Sequence, residues 1–174
     1  MANWSSSGFY INTVIAALTS VAQTGGTLSP LNINSSANQN LSLVNQTAVQ
    51  YTSPVAYGAS SPAWVNTNEV AGTGWSTGGV LLSTAFAGAD VVPTTTITGS
   101  GPYVLTYSWT HGLSVTGTTL TGIYGCIIYY PNPTSPVAKP ELLALYFGTG
   151  YNTVAGTFGI TPSGSGLAAL TLTA

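Results

Sequence analysis

Asn68-Glu69-Val70-Ala71-Gly72-Thr73-Gly74-Trp75-Ser76-Thr77-Gly78-Gly79 is the stretch on which the reading of this chain turns. Gly72, Gly74, Gly78 and Gly79 supply positions that can take positive φ or let a second backbone approach closely. Trp75 sits between the two glycine pairs, a large ring suited to pinning an irregular loop onto a core or a neighbouring subunit. Glu69 has two readings. Its carboxylate either accepts amide hydrogen bonds from the glycine-rich backbone and fixes the loop, or is a solvated loop charge. Val80-Leu81-Leu82 opens an apolar run, so the whole stretch reads as a turn feeding a strand.

Downstream of this turn the pattern is that of strands. Tyr103, Leu105, Tyr107 and Trp109 alternate with Val104, Thr106, Ser108 and Thr110, as in a half-buried strand. Ile123 to Tyr130 is almost entirely apolar and aromatic, which predicts a central strand covered on both faces. The loop Pro131 to Pro136 leads to a returning strand over Leu142 to Phe147, so a hairpin is expected. Val154, Phe158 and Ile160 mark a further strand and Leu167 to Leu172 a last one.

Upstream, residues about 9 to 23 form the one helix candidate, with Ile11, Val14, Ile15, Leu18 and Ala22 on a single stripe. Ser5 to Ser7 offer caps and Gly25-Gly26 a stop. Residues about 27 to 66 are polar and loop-rich, with short apolar touches at Leu31 and Ile33, Leu41 to Val44, and Val49 and Tyr51, enough for one or two strands. The sequons at Asn3, Asn34, Asn40 and Asn45 are read as chance in a chain so rich in Asn and Thr. The expected architecture is a single domain over 1–174, an antiparallel, jelly-roll-like β-sandwich with one N-terminal α-helix.

Charge sets the boundaries on function. The 174 residues carry only Glu69, Asp90, Glu141 and Lys139 as charged side chains. Charged residues normally make up about a quarter of a soluble domain. A single lysine cannot neutralise phosphates, so neither nucleic acid nor an anionic membrane surface is an expected partner. The apolar run Val14 to Leu18 is far too short to span a bilayer, and with no basic segment before it a signal peptide is not expected. One cysteine allows no internal disulfide.

Catalytic chemistry finds little to use. His111 and Cys126 are the only soft metal ligands, too few for a metal site. Cys126 sits in the most apolar run, as an inert buried thiol does. Glu69, Asp90 and Glu141 occupy three separate turn or strand-edge contexts, so a paired acid and base is not expected. The glycine stretch lacks the lysine of a phosphate-binding loop. No catalytic, cofactor-binding or metal residue is expected, and the chain is not read as an enzyme. The aromatics, including four Trp and ten Tyr, serve core and interface more cheaply than a sugar platform.

The EV-x-G-x-G-x-x-x-GG turn resembles a motif of small virion structural proteins of tailed bacteriophages, many of them without assigned roles. That family is similar in order: an N-terminal helix, the glycine turn, an apolar strand ending in Tyr, a short polar loop, and a strand closing on an aromatic and Gly. The matching segments here are Phe9 to Val21, Glu69 to Gly79, Ile127 to Tyr130, Asn132 to Thr134 and Leu142 to Gly148, with Gly156-Thr157-Phe158 resembling the last glycine-led strand. Two features depart from it: Tyr124-Gly125 stands where the family often has an Arg-Tyr pair, and the hairpin loop is proline-rich, not acidic. The resemblance implies a non-enzymatic structural component of the phage particle, made in the bacterial host cytoplasm, chiefly a capsid-associated decoration or minor head protein. Its implied partners are further copies of itself and other virion proteins, the major capsid protein first. The alternative is a tail- or fibre-associated module that binds carbohydrate through exposed aromatics.

Overall fold

The computed structural model describes residues 7–23, 31–46, 63–84, 91–100, 102–134 and 137–172. The caps expected at Ser5 and Ser6, the Gly25-Gly26 stop, Val49 and Tyr51, Asp90, and the sequon at Asn3 lie outside these residues. The described chain is mainly β with antiparallel sheets and one α-helix, as the sequence predicts. In chain order come β1 (Gly8–Phe9), α1 (Ile11–Gln23), β2 (Asn40–Val44), β3 (Glu69–Val70), β4 (Val80–Leu81), β5 (Pro93–Thr98), β6 (Tyr103–Trp109), β7 (Leu113–Tyr129), β8 (Glu141–Ile160) and β9 (Ala168–Leu172). The larger sheet runs β1-β8-β7-β2-β3, with β4 also on β2; the smaller runs β5-β6-β9.

Several expectations are corrected. The helix begins at Ile11, because Gly8 and Phe9 pair as a strand with Ala144 and Leu143. Ser7 does not cap it: the Ser7 Oγ accepts the Tyr146 amide at 2.8 Å, and the Tyr10 carbonyl takes the first helical amides. Of the expected stripe Val14 is buried and Ile11 partly so, Ile15 is not, and the Leu18 and Ala22 side chains lie outside the described ones. Tyr10, Thr13, Val14 and Ala17 face inward, whereas Ile15 is 51% exposed. Anchoring the preceding strand to β8 sets the helix's rotation, and propensity has no say in that. The strand expected at Val154 to Ile160 is no separate element but the far half of β8. The expected central strand Ile123 to Tyr130 extends back to Leu113, and the run from Val80 gives only two strand residues before a tight turn at Leu82–Thr84.

β7 and β8 form one long hairpin, and it is sharply bent. Phe147 and Phe158 lie eleven residues apart on β8, about 36 Å in an extended strand. Their ring centroids are 6.4 Å apart. The register explains the bend: Ile123 faces Tyr151 and Gly125 faces Tyr146, so five residues of β8 pass two of β7. Further slips fall at Val115/Thr118, Thr118/Leu120 and Leu120/Ile123. Extra residues on one strand of a pair bend it and increase its twist.

The two sheets share one apolar cluster. Leu41, Leu43, Cys126 and Ile128 of the larger sheet meet Leu105, Tyr107 and Trp109 of the smaller, together with Val14 and Ala17 of α1. A buried polar chain ties the sheets in the same place. Tyr107 donates to Gln39 Oε1 at 2.6 Å, Trp109 Nε1 donates to the Tyr107 hydroxyl at 3.3 Å, and Gln39 Nε2 donates to the Ile33 carbonyl at 2.8 Å. The opposite face of β7 is covered by a second cluster of Tyr10, Val44, Trp64, Ile127, Tyr129 and Ala144. This double cover is why the run Ile123 to Tyr130 has no polar alternation.

Burial pushes the Cys126 thiol and the Tyr107 and Tyr130 hydroxyls well above their ordinary ranges. Each group therefore holds its proton in the fold at a pH where the unfolded chain releases it. The stability they contribute is complete below the unfolded values, about 8.5 for Cys and 10 for Tyr, and falls as pH rises beyond them. Each group that has passed its unfolded pKa steepens the loss by about 1.4 kcal/mol per pH unit. Urea titrations should show stability declining from about pH 9, with Cys126→Ala delaying the onset by about one unit. Flat stability to pH 11 or beyond would contradict the burial of these groups.

Candidate functional site

β3 and β4 pair with the same edge of β2. Val70 faces Leu43 and Val80 faces Leu41, so a single residue of β2, Ser42, separates the two contacts. The chain spends the nine residues Ala71 to Gly79 where one would carry it past. The glycine stretch is thus an excursion from an edge strand, closed at both ends on β2.

Its far end is a tight turn. Gly72 and Trp75 exchange backbone hydrogen bonds at 2.9 and 3.0 Å, with Gly74 at φ +76° in the position that a type II turn reserves for glycine. The Thr119 amide donates to the Thr73 carbonyl at 3.0 Å, which docks the turn against β7 where the hairpin bends. Trp75 is 1% exposed and meets Phe158 edge-on at 5.7 Å. The indole therefore packs into the concave side of the bent hairpin.

Glu69 closes the near end. Its Oε1 accepts the Gly78 amide at 2.8 Å, so the loop-fixing reading holds and the solvated-charge reading does not. The Gly78 carbonyl accepts the Tyr129 hydroxyl at 2.7 Å and Asn40 Nδ2 at 3.0 Å. Gly79, at φ +71°, lies so close to β2 that a Cβ there would run into the Leu41 carbonyl and the Ser42 hydroxyl. Burial raises the Tyr129 hydroxyl and the neighbouring Glu69 charge adds to the rise, against the Asn40 and Ser42 side chains. Tyr129 consequently stays a hydrogen-bond donor across the neutral range.

The expected residues Glu69, Gly72, Gly74, Trp75, Gly78 and Gly79 are all parts of this device. Asn40 and Tyr129 were missed, since Asn40 reads as a chance sequon and Tyr129 as core. The cue available was Tyr129 ending an apolar strand, where a phenol needs a polar partner.

Among the described residues the other chemically interesting groups do not converge. Cys126 is fully buried and His111 is exposed, so they share no site. Glu141 is buried beside Tyr129 on β8, while Glu69 is on β3. Three strand spacings and four residues put their backbones about 20 Å apart. Carboxyl pairs that hydrolyse glycosides lie about 5–10 Å apart. Among the described residues no group of three or more His, Cys, Asp or Glu could hold a metal ion, and no helix is long and apolar enough to cross a membrane. Comparison with protein-family models, curated proteins and solved structures finds no match to this chain.

Two substitution sets test the device. Glu69→Ala should destabilise by about 1–3 kcal/mol in urea, because the Gly78 amide loses its partner. Alanine at Gly78, where φ is +90° and no atom lies within 4 Å of the added Cβ, should cost only the left-handed conformation, about 1–2 kcal/mol. Gly79→Ala should cost more than Gly78→Ala, since it adds the collision with Leu41. Equal costs at the two glycines would refute the close docking on β2.

Proposed function

We propose that this chain is a non-enzymatic structural component of a tailed-phage virion, a capsid-associated decoration or minor head protein that acts by symmetric assembly. The observation that carries this reading is where the family-like motif spends its residues. Glu69 and the four glycines of the Glu69 to Gly79 stretch hold backbone against backbone, and Trp75 packs its ring against Phe158. The surface supports it as well. Four charged side chains in 174 residues leave little repulsion between copies.

A carbohydrate-binding role on a tail or fibre draws less support from the same molecule. Trp64, Trp75 and Trp109 are 5%, 1% and 5% exposed, so their rings are committed to the interior. Among the described residues half-exposed Tyr151 is the best remaining platform.

Assembly on this reading depends on fit, hydrogen bonds and apolar burial. Raising sodium chloride from 0.1 M to 1 M shortens the Debye length from about 10 to 3 Å, yet there is almost no charge on this chain to screen. Sedimentation should therefore show a homo-oligomer or particle-bound state that persists across the salt series and is released by urea or guanidinium. Labelling of particles should find copies distributed over the head. A chain that is monomeric at every salt concentration and absent from intact particles would defeat the proposal. Copies confined to the tail tip would favour the carbohydrate-binding role.

A further inference from the structure

The smaller sheet ends on an open strand. β5 meets β6 in unbroken register from Pro93 opposite Trp109 to Thr98 opposite Val104, and every residue from Thr94 to Thr98 is β-branched. The ladder fixes which way each backbone group points. One step before that register the Thr110 amide donates to the Val92 carbonyl at 3.0 Å. Bonded and non-bonded pairs alternate along an antiparallel ladder, so Thr94, Thr96 and Thr98 bond to β6 while Pro93, Thr95 and Ile97 turn their backbone groups to the other side. The far side of β6 agrees: Tyr107, opposite Thr95, gives its carbonyl to the Leu167 amide at 2.9 Å. Among the described residues nothing pairs with the outer side of β5. Native edge strands are commonly blunted by a lysine, a bulge or a covering segment. Here β5, β6 and β9 carry no charged residue. Ile97 is 63% exposed, although Leu105, opposite it on the same face of the sheet, is buried.

We propose that β5 is the edge through which two copies of this chain join, the two strands pairing antiparallel about a two-fold axis at Thr96. The inference rests on the assembly reading above and names the contact through which it acts. Three features select a second copy as the occupant. Thr95 and Ile97 stand one residue either side of Thr96, so that axis sets each Thr95 opposite the partner's Ile97 and matches their outward amides with outward carbonyls. Self-pairing brings identical side chains together, where a charge would meet its own like, and β5 has none. Ile97 lies exposed on the core side of the sheet, and the partner's Thr95 comes beside it there, with Cα atoms about 5.5 Å apart as in a hydrogen-bonded pair. The ladder also has defined ends. Pro93 has no amide hydrogen to give, and Gly99, at φ +99°, turns the chain out of the strand. The contact therefore uses one edge of each copy and closes as a pair, joining two three-stranded sheets into one.

The experiment is analytical ultracentrifugation of full-length wild type, Thr96→Asp, Thr96→Lys and Thr171→Asp, with hydrogen exchange on the wild type. At the axis the two Thr96 Cα atoms lie about 4.5 Å apart, as in a non-bonded pair. Thr96 is exposed, so Thr96→Asp and Thr96→Lys should keep wild-type circular dichroism and melting. Each should weaken self-association by about tenfold or more, because like charges then face each other. Mixing the two variants should restore association above either alone, because opposite charges meet. Thr171→Asp is the control: Thr171 is exposed on the other outer strand of the same sheet and receives the same charge, and this variant should associate as wild type does. In associated wild type the Thr95 and Ile97 amides should exchange about tenfold more slowly than in diluted monomer, a readout that needs no variant. Association of both Thr96 variants equal to wild type would overturn this contact and leave the assembly reading standing. So would an equal loss in Thr171→Asp, no recovery on mixing, or Thr95 and Ile97 amides that exchange alike in both states. A wild type that is monomeric yet retained on particles would also overturn the self-pairing alone. A wild type both monomeric and absent from particles would overturn both readings.

Discussion

The structure depends on keeping a long excursion shut. Between β3 and β4 the chain leaves the edge of β2 for nine residues and returns only two residues further along. Ordering backbone costs about 1–2 kcal/mol per residue, and an excursion of this length has no strand ladder of its own to offset that. The closure is made by few groups. Glu69 clasps the Gly78 amide, Tyr129 and Asn40 hold the Gly78 carbonyl, and Gly79 presses against Leu41 with no side chain between. A charge-assisted bond is worth roughly twice a neutral one. One of the chain's few charges is thus placed where the backbone most needs an acceptor.

What the excursion supports is the bend of the β7–β8 hairpin. A hairpin of this length, left straight, could not bring Phe147 within 6.4 Å of Phe158. The register slips let it turn, and the Gly72–Trp75 turn occupies the inside of the curve. Trp75 meets Phe158 there, and the Thr73 carbonyl holds the Thr119 amide at the bent stretch itself. Neither part is a finished structure without the other. The bent hairpin exposes a concave apolar surface that needs a ring, and the glycine turn offers a ring that needs a pocket.

The parts of this arrangement legible in the sequence are those written in local chemistry. Alternation placed β6 at Tyr103–Trp109, and the unbroken apolar run located the buried half of β7. The glycines announced close backbone approach, and a carboxylate beside them announced an acceptor. Long-range consequences were not legible. No local pattern tells that Val70 and Val80 return to one strand edge, or that Val154 to Ile160 continues β8 through a bend. Helix rotation failed for the same reason. Ile15 and Val14 are equally apolar, and only the pairing of Phe9 with Leu143 decides which of them is buried.

Near-absence of charge then links fold to function. A protein with ordinary surface charge can tolerate an uncovered apolar side chain, because repulsion and hydration keep copies apart. Here Ser, Thr, Asn and Gly do the solvating, and the same groups that hydrate the surface can also hydrogen-bond across a contact. Such a surface is poorly suited to selecting a charged ligand and well suited to repeated contact with neutral surfaces shaped like itself. The interior follows the same rule. Its ties between sheets are Gln39, Tyr107 and Trp109, all neutral, and the Glu69 carboxylate is turned on the chain's own backbone. Fit and neutral hydrogen bonds, more than charge, hold this molecule together, and on the reading proposed above an assembly built from it would inherit the same means.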